Sequence, residues 1–142
     1  TAARLAEIPN VVAFKEASGN VSQVSELIGM INADIAVYSG DDGLTLPILS
    51  VGGAGVVSVA SHVVGKQMNE MMDAFFAGEV AKAAELHRKY QTVFEGLFMT
   101  SRPVPLKYAL SQMGITPTTV RLPLVELSEE EKEKASSWMK LI

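Results

Sequence analysis

In "PNVVAFKEASGN", Pro9 to Asn20, four apolar residues from Val11 to Phe14 run directly into a lysine, and a Ser-Gly-Asn turn follows. A short apolar run bounded by turn residues reads as a buried strand, Val11–Lys15, here with a cation at its end. Behind the turn, whose residues offer capping chemistry, Val21, Val24, Leu27, Ile28 and Ile31 recur at helical spacing. The same order then repeats. "IAVYS", Ile35–Ser39, is a second strand, and "GDDG" closes it and opens a short helix from Leu44 to Ser50, with Pro47 in the first turns where it is tolerated. "GGAG" leads into a third strand, "VVSVA", Val56–Ala60, and helices are expected from about 63 to 77 and from 79 to 99.

Strands that are apolar on both faces and alternate with helices belong in a parallel sheet covered by helices, so the expected class is α/β. Such a sheet is either open or an arc of a closed barrel. An open nucleotide-binding sheet should carry its phosphate loop after a strand. Gly52, Gly53 and Gly55 instead precede the third strand, and Ser58 stands where the third glycine of G-x-G-x-x-G would be. They read as a tight helix-to-strand connection. The tail is different: "SRPVPLKYALSQMG" is a short Pro-flanked helix, "ITPTTVRLPLVEL" is extended, and Ser128 with Glu131 forms a capping box at the head of a last helix.

The 142 residues have room for one ordinary domain with a real core. With 48% hydrophobic and 20% charged residues the chain is globular rather than disordered. A net charge of −4 and the absence of a basic run give no support to a nucleic-acid or membrane-surface partner. There is no cysteine, which excludes disulfides, thiolate metal sites and cysteine nucleophiles and fits a reducing cytoplasm. No apolar run reaches the roughly 20 residues of a membrane helix. "TAARLAEIPN" reads as the tail of a helix running into a Pro-Asn stop, so the chain is expected to begin inside a longer protein.

Among residues that could carry chemistry, Lys15 comes first. Strand alternation places Ala13 and Lys15 on one face and Val12, Phe14 and Glu16 on the other. With Phe14 packed under helices, Lys15 would point into the inner space of the sheet, where burial favours the neutral amine that attacks carbonyls. Spacing alone nevertheless favours a lysine that snorkels to the rim or pairs with Glu16. Gly40, Asp41, Asp42 and Gly43 lie at the ligand-facing end of the second strand. The aspartates read as helix caps more readily than as metal ligands. Ser58 and Ser61 flank the end of the third strand and say little alone. His62 reads as surface or capping, His87 as solvated among Glu85, Arg88 and Lys89, and Tyr38 as core.

Four stretches, "NVVAFKEASGN", "YSGDDGLTLPILSVGGAGVVSVASHV", "RPVPLKYALSQMG" and "RLPLVELSEEE", together closely resemble the dihydrodipicolinate synthase family, in that family's order and over essentially the whole chain. The family belongs to the class I aldolases that include N-acetylneuraminate lyase. The resemblance implies a (β/α)8 TIM barrel, of which this chain is the C-terminal half. Residues 1–78 would hold the last three strands, and 79–142 the final barrel helix and a C-terminal helical region. It implies that Lys15 forms a Schiff base with pyruvate, whose enamine attacks aspartate semialdehyde on the route to diaminopimelate and lysine. Gly40 matches a glycine whose backbone lies beside the substrate, and Val57 a branched residue on the pyruvate side. No metal or organic cofactor is implied, because the lysine imine is itself the electron sink.

Ser18 stands where the family often has threonine, and Arg102 where asparagine often precedes the Pro-x-Pro-x-Lys run. The tyrosines and threonine of the proton relay and the arginine that grips the semialdehyde belong to the half not present. The chain alone is therefore expected to be inactive or nearly so. With two open sheet edges it should pair with its missing half or with a copy of itself. The alternatives are another pyruvate aldolase of the group, such as N-acetylneuraminate lyase or a keto-deoxy-sugar aldolase, or a non-catalytic half barrel.

Overall fold

The computed structural model describes every residue from Thr1 to Ile142. Three strands, β1 (Ala13–Glu16), β2 (Ala36–Ser39) and β3 (Gly55–Val56), form one parallel sheet in the order β1-β2-β3. Lys15 pairs with Tyr38, and Tyr38 with Gly55. The class is α/β, as the alternation of elements predicts. The first two strands fall within two residues of their expected bounds. The third is shorter than expected: residues 57–60 leave the sheet after one more ladder bond, from the Val57 amide to the Ser39 carbonyl (2.8 Å). The amides of Val59 and Ala60 then turn to the Asp42 carboxylate, so an apolar run that looks like strand becomes a loop.

The helices are α1 (Ala2–Leu5), α2 (Val21–Met30), α3 (Thr45–Ser50), α4 (Ser61–Phe76), α5 (Val80–Gly96), α6 (Val104–Gln112) and α7 (Glu129–Trp138). Asn20 caps α2 by accepting from the Gln23 amide (3.1 Å). Val24 of α2, Val37 of β2 and Ile48 of α3 form a small core on one face of the sheet. The turn from α3 into β3 requires glycine. Gly52 adopts φ +102°, and a Cβ at Gly53 would stand 2.8 Å from the Ile48 carbonyl oxygen. The capping box of Ser128 and Glu131 opens α7 as its spacing predicts.

The main core lies beyond the sheet, where Val64, Val93, Leu97, Ala109, Ala135 and Trp138 are fully buried among α4 to α7. Helices therefore cover one face of the sheet only. The opposite face, carrying Ala13, Lys15, Tyr38 and, by continued alternation, Gly40 and Val57, lies open; Val57 is 48% exposed.

Candidate active site

The open face gathers the candidates. Lys15 sits one residue before the end of β1, with Tyr38 as its partner on β2, so their side chains rise from the same face on strands about 4.8 Å apart. The backbone then closes in on the lysine. The Gly40 amide donates to the Glu16 carbonyl at 2.6 Å, extending the ladder past β2. A Cβ at Gly40 would stand 2.8 Å from Ala17 Cβ and 2.9 Å from Lys15 Cε. Glycine is thus favoured where β2 ends, because Ala17 Cβ and the Glu16 carbonyl, which cannot swing aside, close the space a side chain would need and the lysine stem fills the rest. Val57 follows on the next strand. The structure brings Lys15, Gly40 and Val57 to the same end of the same face.

Two expectations about Lys15 are corrected. It is exposed rather than buried, because nothing packs over the open face. It also makes no ion pair with Glu16: the four salt bridges of the chain belong to Lys82, Lys132 and Lys134. Glu16 faces the helical side with Phe14, and its Oε1 accepts from the Ser18 amide (3.0 Å), tying down the turn that leads to the cap of α2. On the outer edge of β1, Phe14, Glu16, Leu27 and Met30 line a groove of about 520 Å³ together with Lys15 and α1.

The two aspartates separate in role. Asp41 caps the 3-10 turn Asp42–Leu44, accepting from the Gly43 amide (2.9 Å), as its position predicts. Asp42 is 1% exposed, and its Oδ2 receives the amides of Val59 (3.1 Å) and Ala60 (2.9 Å). That long-range role has no sequence signal, since the donors lie 17 and 18 residues away. Ser58 Oγ accepts from the Ser61 amide (2.8 Å) in the turn that leads into α4. His62 is exposed.

His87 is corrected. It is half-buried on the inner face of α5, one turn from Ala83 and 6.1 Å from the Phe94 ring, rather than solvated. Burial, with a smaller contribution from the neighbouring Arg88 charge, lowers its pKa below the ordinary 6.5. It lies on the helical layer and belongs to packing. Tyr38, read as core, is half-buried on the open face as the cross-strand neighbour of Lys15; strand register places it there, and a single strand does not reveal register.

A model of the dihydrodipicolinate synthetase family matches residues 1–142. The chain is 55% identical over 134 residues to the 4-hydroxy-tetrahydrodipicolinate synthase of Listeria welshimeri, covering 94% of this chain and 46% of that protein. Among solved structures, dihydrodipicolinate synthase from Bacillus anthracis superposes with a TM-score of 0.94 at 51% identity, covering 99% of this chain and 48% of that one. The chloride-inhibited dihydrodipicolinate synthase of Acinetobacter baumannii, solved in complex with pyruvate, superposes with a TM-score of 0.92 at 38% identity, covering 98% and 48%. The chain spans about half the length of the relatives it matches.

Proposed function

The chain belongs to the dihydrodipicolinate synthetase family, and on that premise we propose that it is one part of a 4-hydroxy-tetrahydrodipicolinate synthase in which Lys15 forms an imine with pyruvate. The neutral Lys15 amine adds to the C2 carbonyl of pyruvate, and loss of water from the carbinolamine gives the imine. Loss of a C3 proton turns the imine into an enamine, whose C3 attacks the aldehyde carbon of aspartate semialdehyde. The semialdehyde's own amine then displaces Lys15 from C2 as the ring closes, and the lysine is regenerated. The observation that carries this assignment is the placement of Lys15: a lysine at the ligand-facing end of a parallel strand, on the sheet face that the helices leave open, with its Cε against Gly40.

In the same proposal, the three strand–helix units of residues 1–78 are an arc of a (β/α)8 barrel, and residues 79–142 supply its last helix and an appended helical region. What supports this arrangement is the order of elements, three strand–helix units followed by three further helices. Gly40 and Val57 line the pyruvate side. The groups that move protons and hold the second substrate come from the other half, and the working enzyme is an oligomer.

The test is reductive trapping. The chain, alone and co-expressed with the remaining barrel half of a full-length relative, is treated with pyruvate and borohydride and mapped by mass spectrometry. A reduced pyruvate adduct on Lys15 in the co-expressed assembly is expected. Label at another residue, or no label there, overturns the assignment.

A further inference from the structure

We propose that Asp42 is a positioning residue for the pyruvate-reactive end of the sheet: its buried carboxylate fixes the loop that follows Val57 against the turn that follows Gly40. The inference rests on the assignment of Lys15 above and goes beyond it, because nothing in the family resemblance gives Asp42 a role. Three observations carry it.

First, Asp42 ties together two segments far apart in sequence. Its Oδ2 accepts both the Val59 and the Ala60 amides, at 3.1 and 2.9 Å, and the residue is 1% exposed. Second, the segment around Gly40 is fastened on both sides of the glycine. Fully buried Ser39 donates its hydroxyl to the Asp41 carbonyl (2.6 Å) and accepts the Asp41 amide (3.1 Å), while the Thr45 hydroxyl donates to the Asp42 carbonyl (2.8 Å). The Val57 amide reaches the Ser39 carbonyl at 2.8 Å, so the Ser39–Asp42 segment touches the third strand at two points that bracket Val57 and Ser58. Third, the two amides that Asp42 takes lie ahead of α4, whose own first amide, that of Ser61, goes to Ser58 Oγ (2.8 Å). A carboxylate buried to satisfy two loop amides costs desolvation, and its second oxygen has no partner within the chain. What the shared oxygen adds is stiffness, since one buried atom holds two consecutive amides. That stiffness matters where Gly40 and Val57 must stay in register around the amine of Lys15, since an imine-forming collision tolerates little misplacement.

The test compares two reactions of Lys15 in the assembly that traps pyruvate. Pyruvate with cyanoborohydride reads the positioned reaction. Formaldehyde with cyanoborohydride reads the same amine with a reagent too small to need the pocket. Asp42→Ala should lower the pyruvate rate roughly 10- to 100-fold and leave the formaldehyde rate at Lys15 within about twofold. Asp42→Asn keeps one oxygen able to accept both amides and should recover most of the pyruvate rate. If Asp42→Ala loses its cooperative melting, Ser39→Ala takes its place, releasing Asp41 from the same clamp, and the pyruvate-selective loss is expected again. Equal rates in wild type and variants, or an equal fall with both reagents, overturn the inference and leave the role of Lys15 intact. Absence of the pyruvate adduct in wild type overturns the Lys15 assignment and this inference with it.

Discussion

Gly40 and Lys15 exclude one another's side chains: a single methyl group at Gly40 would lie 2.9 Å from Cε of the lysine. The same methyl would press on Ala17 Cβ at 2.8 Å and on the Glu16 carbonyl at 3.1 Å, neither of which can swing away as a flexible chain end could. Gly40→Ala should therefore destabilise the chain by about 1–3 kcal/mol in urea titration. In the assembled barrel it should slow pyruvate trapping roughly 10- to 100-fold. A variant that traps pyruvate at the wild-type rate would show that the space beside Gly40 is not where pyruvate reacts.

Gly96 makes a parallel demand in the helical core, far from the lysine. A Cβ there would collide with the indole of Trp138, which is itself 3% exposed where α7 packs on α5. Gly96→Ala should cost about 1–3 kcal/mol through overpacking, read as a lower urea midpoint with an unchanged slope. Pyruvate trapping at Lys15, measured where the variant remains folded, should not change.

His87 predicts a pH dependence of stability. Burial, helped by Arg88, holds its pKa below the ordinary 6.5, so the unfolded chain takes up a proton at a higher pH than the folded chain. Its contribution is complete above 6.5 and is lost as pH falls through the lower folded value. Urea midpoints measured at about pH 7.5 and about pH 5 should fall on acidification, and His87→Gln should reduce that fall. An identical pH slope in the variant would show that other groups carry the acid sensitivity.

The sheet predicts association. β1 and β3 each leave an unpaired edge; Val57, which follows β3, is 48% exposed, and Val12, which precedes β1, is 70% exposed. Unpaired edges next to exposed apolar side chains favour pairing with further chain. Light scattering on the isolated 142-residue chain should give a mass above 15.2 kDa, and co-expression with the complementary barrel half should replace that self-association with a defined complex. A soluble monomer at all concentrations would contradict this.

Much of the architecture was legible in the sequence, and the parts that were not share a cause. The apolar run before Lys15, the Asn20 cap and the Ser128–Glu131 box act within a few residues, so local pattern reveals them. The third strand ends earlier than its pattern predicts because Val57 to Ala60 look like strand, while a distant aspartate claims the amides of Val59 and Ala60. His87 differs from its expected solvated position for a related reason. Its sequence neighbours are charged, but its own face of α5 is shared with Ala83, Tyr90 and Phe94. Of the candidate site, only Lys15 stands out locally, as a cation ending an apolar run; the roles proposed for Gly40 and Val57 come from the family resemblance. Their convergence on one open face depends on strand register, as does the arrival of Tyr38 beside the lysine. The expected burial of Lys15 depends on surfaces that would have to cover this face, and no local pattern in the chain encodes them.

The most direct test of the account is the site of covalent attachment. Pyruvate and borohydride applied to the assembled barrel should leave one reduced adduct, on the peptide containing Lys15, and Lys15→Arg should abolish it while the chain still folds. An adduct that survives in Lys15→Arg, or that maps to Lys107 or any other lysine, would contradict the central claim that Lys15 is the imine-forming residue.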